Sequence, residues 1–499
     1  MLAPINRIPP EVLALIPDFW SRRDRDQGTI TLTHVSKAWR EIFISRSSLW
    51  TDFDCLDADK TRVYLERSKS SPISLELKRI LYPHEPFFQI VPHAVGRLKH
   101  LFLITSPGYL EGFTVHLSLP APILKTLRIF GTSGNPFSTS VLPTTLFNGD
   151  LSSLRNLQLF SVRTQLHWRN MVNLTWFSLG YVLEPRVSIG QFLDFFESAP
   201  RLLDVELTFA IPSSGAQNGR LVSLAHLRRL YIFEESESPS PLLSHLLIPA
   251  GTKMTTELYL PGPRIEDHLP RSLDNLRNLS NFTKIRLHFK HIDHSHVSIK
   301  LSGPNGQVCM TSMFPQAETT RLVPRSLVAF DTSKITSLEI LNSDPLSEDL
   351  HQALLPMKGL RTLRLSLCKD LHSFILALYH DPNSMDPIPC PQLERLIFRT
   401  EERFDIERMV EVASTRASGG APFKSVKIVN LGELVPRAGV RELLKHILHV
   451  ENRLEISGEV HSCHDSDEED YDNSEEEYGS DGGDCDGDEE NCGSDEEGR

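Results

Sequence analysis

The feature that most constrains this chain is a short apolar alternation, L-x-x-L-x-L/I, that keeps returning. It reads Leu98-Lys-His-Leu101-Phe-Leu103, Leu124-Lys-Thr-Leu127-Arg-Ile129 and Leu154-Arg-Asn-Leu157-Gln-Leu159. It starts again at Leu174, Leu202, Leu227, Thr255, Phe282, Ile335, Leu360, Leu393 and Phe423. The steps between starts are 26, 30, 20, 28, 25, 28, 27, 53, 25, 33 and 30 residues. Alternation sends the leucines of each run to one face of a strand. One strand cannot cover that face alone, so units of this size must stack and share a core.

Most steps fall at or near the period of roughly 20–29 residues expected for leucine-rich repeats. Helix-like stretches such as Gly190–Ser198 and Asp405–Ala413 separate the alternations. The prediction is an α/β fold over 57–460, one strand and one helix or turn per unit, forming a curved parallel sheet with outer helices. The Asn/Cys ladder position of regular repeats is missing, so the solenoid is irregular. The 53-residue step is close to two units. Its centre alternates at Val297–Leu301, turns at Gly303-Pro-Asn-Gly306 and runs back through Met313, which predicts a β-hairpin near 296–314 projecting from one side. A helix over Arg437–Val450 caps the array, with a last strand near Leu454–Ile456.

The first 56 residues have a different pattern. Pro9 and Pro10 suit a helix start, with Glu11 in its first turn, and Pro17 stops it. A polar link, Ser21–Gly28, leads to a second helix from Thr29 that carries Leu32, Val35, Trp39, Ile42 and Phe43 at spacings of three and four. Leu49 and Trp50 form a third short element. Two helices and a stub cannot bury all these side chains against each other, so apolar surface is left for a partner and for the array.

These residues resemble an F-box. The family pattern is a Leu/Ile-Pro-x-Glu-Val-Leu opening, then Ile, Val-Cys-Lys/Arg-x-Trp-Arg and a final Leu-Trp. The matches are Ile8, Pro10, Glu11, Val12, Leu13, Ile16, Val35, Lys37, Trp39, Arg40, Leu49 and Trp50, with Ser36 where Cys is usual. The wording is similar to that of large F-box families of mushroom-forming fungi. The resemblance covers about a tenth of the chain. It implies a substrate-recognition subunit of an SCF-type cullin–RING ubiquitin ligase, without bond chemistry of its own. Ile8, Pro9, Pro10, Val12, Leu13, Ile16, Val35 and Trp39 would face the Skp-type adaptor. Leu49, Trp50 and Phe53 would face the array. The other reading is a repeat scaffold that binds partners without a ligase.

Charge is uneven along the chain. The net charge is −13. From Asp465 onward there are 18 Asp/Glu and one Arg, which leaves 47 acids against 51 bases elsewhere. Residues 461–499 have too little apolar surface to offset chain entropy and are predicted to be disordered. Ser466, Ser474 and Ser494 each precede three acids, a setting for acidophilic phosphorylation. A polyacidic segment repels phosphate, so no nucleic-acid partner is expected. No apolar run is long enough for a membrane span. The seven scattered Cys suggest a reducing compartment, cytoplasm or nucleus.

No catalytic motif is present: no G-x-S-x-G, P-loop, H-E-x-x-H or dinucleotide glycine pattern. No cofactor is expected. His288, His291, His294 and His296 lack the partners of a zinc site, so they read as a polar loop. The sharper candidates lie between the leucines, where alternation points them to the other face of the sheet. The client-binding row is Arg128, Phe130, Phe160, Tyr231, Phe233, Tyr259, Arg286 and Arg364, with Gln158, Trp176 and Arg395 beside it. Phe130 and Phe160 share a register and should lie side by side. Exposed aromatics and Arg are common interface anchors. The alternative is that loops leaving the strands cover Phe130, Phe160 and Phe233.

Overall fold

The computed structural model describes residues 8–454, apart from 21, 55–56, 81–91, 106–116, 132–141, 143–145, 165, 167–169, 183–185, 213–218, 236, 260–267, 271, 280–281, 291–294, 305, 315–331, 343–346, 369–370, 382–385, 402 and 432–433. The chain divides into two units, Met1–Leu454 and Glu455–Arg499. The second unit, with Ser466, Ser474 and Ser494, lies outside the described residues, as do His291 and His294.

Most repeats begin with the same local device. The amide of the first apolar residue donates to the carbonyl three residues back and closes a turn: Leu124 to Ala121 (3.1 Å), Leu154 to Leu151 (3.0 Å), Leu360 to Met357 (3.1 Å) and Leu393 to Cys390 (3.0 Å). The next amide donates to the equivalent residue one unit earlier, as from Lys125 to Lys99, Arg155 to Lys125 and Thr175 to Arg155 (2.8 Å each). The strand then follows. In chain order the strands are β1 (Asp52–Asp54), β2 (Ile73–Ile80), β3 (Leu98–Thr105), β4 (Thr126–Gly131), β5 (Asn156–Phe160), β6 (Trp176–Gly180), β7 (Asp204–Thr208), β8 (Val222–Ser223), β9 (Arg229–Glu234) and β10 (Leu246–Leu247). Then come β11 (Lys253–Leu258), β12 (Lys284–Lys290), β13 (Ser295–Gly303), β14 (Gly306–Phe314), β15 (Ser337–Leu341), β16 (Thr362–Ser366), β17 (Arg395–Thr400), β18 (Ser425–Asn430) and β19 (His449–Leu454).

Seventeen of these strands form one sheet; β8 and β10 pair separately. Its spatial order is β1-β2-β3-β4-β5-β6-β7-β9-β11-β14-β13-β12-β15-β16-β17-β18-β19. All neighbours are parallel except β13, which is antiparallel to both β12 and β14. Of the twelve starts read from the sequence, Leu98 opens β3 and Thr255 lies in β11; each of the other ten stands two residues before a strand of this sheet. The alternating leucines are fully buried, among them Leu127, Leu157, Leu179, Leu207, Leu365 and Ile428. Burying each is worth about 1.5–3 kcal/mol.

The hairpin exists but does not project. It is stitched into the sheet as two extra rungs between β11 and β12, with β14 parallel to β11 and β13 antiparallel to β12, while β12 pairs onward with β15. Satisfaction of the backbone favours this placement: between β11 and β12 the two strands have both edges paired, whereas a projecting hairpin would leave its outer edges open.

The helices are α1 (Pro10–Leu13), α2 (Arg22–Thr33), α3 (Lys37–Ser45), α4 (Ala58–Ser68), α5 (Ile189–Ser198), α6 (Ser240–Leu243), α7 (Ser347–Leu354), α8 (Leu371–Ala377), α9 (Ile406–Ser418) and α10 (Arg437–Leu443). Helix α5 shows why such segments become helical. Ser188 and Gln191 close a capping box, and Ile189, Phe192, Leu193, Phe195 and Phe196 are all buried. Three boundaries differ from expectation. The polar link Ser21–Gly28 is mostly helix, part of α2. The single helix expected from Thr29 is broken, because the Ser36 hydroxyl caps α3 by accepting from the Trp39 amide (3.2 Å). The terminal helix ends at Leu443, and the last strand begins at His449, whose amide donates to Lys424 (3.1 Å) and so continues the rungs.

Candidate functional site

Two surfaces carry the candidate residues. The first is the N-terminal helical unit. Its inner side is organised by Trp50, which is fully buried. The Trp50 indole N–H donates to the Phe43 carbonyl (2.9 Å), its ring meets Tyr64 edge-on (5.0 Å), and the Arg67 guanidinium lies over it (4.2 Å). Leu49 and Phe53 are buried as well, and β1 pairs with β2, so this unit runs into the sheet through the residues expected to face it.

Its outer side holds the residues expected to face an adaptor, with two exceptions. Ile8, Pro9, Pro10, Val12 and Val35 are exposed, and Ile16 is half-buried. Leu13 and Trp39 are instead buried, at 4% and 6% exposure. Trp39 packs against Phe43 (5.8 Å), one helical turn on, so it serves the unit's own core rather than its outer face. Leu15 and Phe19, which the F-box pattern does not single out, are 47% and 86% exposed on the same stretch. The signal was available: Pro17 ends the regular helix, and the 3-10 turn Ile16–Phe19 that follows carries Phe19 outward.

The second surface is the face of the sheet opposite the leucines. Strand register lines its side chains up in rows. Phe130 and Phe160 face each other across β4 and β5, with rings stacked at 5.6 Å and 28°. They belong to a longer ladder. Phe102 meets Phe130 at 5.3 Å, Phe160 meets Tyr181 at 4.6 Å, Tyr181 meets Phe209 at 4.5 Å, Phe209 meets Phe233 at 4.6 Å and Phe233 meets Tyr259 at 5.0 Å. These seven rings span β3 to β11. Tyr181 is 44% exposed and the others are half-buried; parts of the loops that leave these strands lie outside the described residues.

The ladder depends on two unusual backbone choices. Tyr181 and Phe209 have φ of 50° and 49°. Alternation alone would send both into the core, because each follows an outward residue. The left-handed turn brings them out while their amides still donate to Thr208 (2.7 Å) and Phe233 (2.8 Å). Gly180 is the second device: a Cβ there would lie 2.6 Å from Phe160, so only glycine lets that ring lie over β6.

Polar groups flank the rings. Arg128 lies over Trp176 (5.9 Å) and Arg229 pairs with Asp204 (2.6 Å). Burial raises the Glu206 carboxyl above its usual range, partly offset by Ser178 and Arg229. Burial, with the Glu257 and Glu206 carboxylates, pushes the Tyr231 hydroxyl up as well, and burial does the same for Tyr259.

Beyond the hairpin the same face changes character. Arg286 and Arg364 flank Glu339, at 2.7 Å and 3.4 Å. Lys427 pairs with Glu451 (2.9 Å), whose carboxyl this hydrogen bond holds below its usual range. On the outward rows of β12 to β19 stand Lys284, Arg286, Lys300 and Arg364, then Arg395, Arg399, Lys427 and Arg453. Among the described side chains of these rows, eight bases stand against two acids, Glu339 and Glu451. The outward rows of β3 to β11 balance three bases (Arg128, Arg229, Lys253) with three acids (Asp204, Glu206, Glu257).

Between the halves sits His268, fully buried. Its Nδ1 meets the Thr256 hydroxyl (2.8 Å) on β11, and its Nε2 meets the Ser312 hydroxyl on β14.

Among the described residues no group of three or more His, Cys, Asp or Glu could hold a metal ion, and no helix is long and apolar enough to cross a membrane. No protein-family model matches the chain, and no curated protein matches it.

Proposed function

We propose that this protein is the substrate-recognition subunit of an SCF-type ubiquitin ligase. The N-terminal helical unit acts as an F-box and docks on a Skp-type adaptor, and through it on a cullin–RING ligase. The sheet, an irregular leucine-rich-repeat solenoid, holds a client protein on its outward face. The protein performs no bond chemistry; it supplies proximity and orientation.

The observation that carries this reading is the surplus of apolar surface on the N-terminal unit. Val12, Leu15, Phe19 and Val35 are exposed in a segment of fewer than thirty residues, although the unit already has a core of Leu13, Trp39, Phe43 and Trp50. These exposed positions fall within the F-box-like stretch. The test is capture of a purified Skp-type adaptor by the full chain. The triple variant Val12→Asp, Phe19→Asp, Val35→Asp should abolish capture and leave the thermal melt of the sheet in place, because all three side chains are exposed. Undiminished capture by the variant sinks the assignment of this surface. No capture by the wild-type chain favours the alternative, a repeat scaffold without a ligase.

A further inference from the structure

The outward face is not uniform, and its division says what a ligand must look like. We infer that the face takes a two-part client segment: an apolar block that lies on the aromatic ladder, followed along the sheet by an acidic block that lies on the basic rungs. This inference deepens the proposed function and rests on its assignment of the client to this face.

Three features carry it. The first is charge complementarity. Among the described side chains, the rows of β12 to β19 set eight bases against two acids, whereas those of β3 to β11 are balanced. A basic field of this kind steers and selects an acidic partner. The second is the ladder itself. Seven half-exposed rings in unbroken contact form a pre-organised apolar strip with little side-chain freedom left to lose on binding. The third is continuity. The hairpin strands are rungs of the sheet, so the path from Phe233 on β9 to Arg364 on β16 crosses six strand spacings on one surface. At the usual strand spacing that is about 29 Å. An extended peptide covers it in about nine residues.

A protein segment fits better than a nucleic acid. Glu339 and Glu451 interrupt the basic rows, and a phosphate backbone would place charge against them at every step. A peptide can set its acids opposite the bases alone. It also has aliphatic side chains for the ladder.

The experiment is selection of a random 16-residue display library on the full-length chain. The expected peptides carry an aromatic or aliphatic block beside an acidic block. Their affinity, read by fluorescence anisotropy, should fall about tenfold or more between 0.05 M and 0.5 M salt. It should fall on the order of tenfold with Lys284→Ala, Arg364→Ala, Arg395→Ala, since three exposed charges are removed. With Tyr181→Ala the apolar block should stop contributing while the salt dependence stays. No enrichment, peptides without acids, or equal binding by the triple variant each overturns the inference. So does a single-stranded oligonucleotide that binds as tightly as the selected peptides and is lost in the same variant. The salt dependence needs no variant, so a folding defect cannot decide the outcome. Adaptor capture is read separately: its loss with peptide binding intact counts against the ligase reading alone.

Discussion

The two halves of the sheet share a core and differ on the opposite face. From β3 to β11 a continuous line of rings, Phe102 through Tyr259, ties the strands across that face, with one ion pair, Arg229–Asp204, beside it. Beyond the hairpin the ties are ions, Arg286–Glu339–Arg364 over β12, β15 and β16 and Lys427–Glu451 over β18 and β19. The leucines beneath are equally buried in both, as Leu157 and Leu365 are. The difference teaches that the repeat specifies the scaffold, while the outward positions are left open to other demands. Ring contacts persist in salt; half-exposed ion pairs are screened by it.

The largest effect should be the one that does not distinguish the halves. Leu157→Ala and Leu365→Ala should each cost about 3–5 kcal/mol in chemical denaturation, the range for fully buried Leu→Ala changes. A much smaller loss on one side would mean that the halves differ in core packing as well.

Next comes the seam. Burial holds the His268 imidazole down at about 3, whereas the unfolded chain takes up its proton near 6.5. Between those values the unfolded state binds more protons. Stability from this group is therefore full above about pH 6.5 and falls as pH drops towards 3, by about 1 kcal/mol per pH unit. Thermal melts from pH 7 to 4.5 should show this slope, and His268→Gln should remove its share. A variant with the unaltered slope would place the acid sensitivity elsewhere.

Within the faces the contrast is sharper. Phe160→Ala removes contacts with both Phe130 and Tyr181 and should cost about 2 kcal/mol, with no change between low and high salt. Glu339→Gln should cost about 1 kcal/mol at low salt, because it leaves two guanidinium groups facing each other, and less at 0.5 M. If both losses responded to salt alike, the division of the face into ring-tied and ion-tied halves would not stand.

Much of this was legible in the residues. The alternating leucines located twelve strands, because a period of two with apolar side chains has few other uses. Phe130 and Phe160 could be paired in advance, since both stand at the same offset in consecutive units. The ladder's remaining members could not. Tyr181 and Phe209 adopt a backbone that bulky residues rarely take, so alternation assigns them to the wrong face. Trp39 and Leu13 fit a docking pattern and an internal one equally well. Only the break at Ser36, which folds α3 back towards Trp50, selects the core.

The repeating unit, its strand and its buried leucines follow from the residues alone, because each depends on neighbours within a few positions. So does the turning back of 296–314 on itself, since Gly303 and Gly306 bracket the turn. Where that hairpin goes depends on strands brought together by the fold. Its strands join the sheet because a free hairpin would leave their outer edges as unpaired backbone, and the strand that completes the pairing, β11, is distant in the chain. The same placement set the seam, and with it the line between the aromatic and the basic halves.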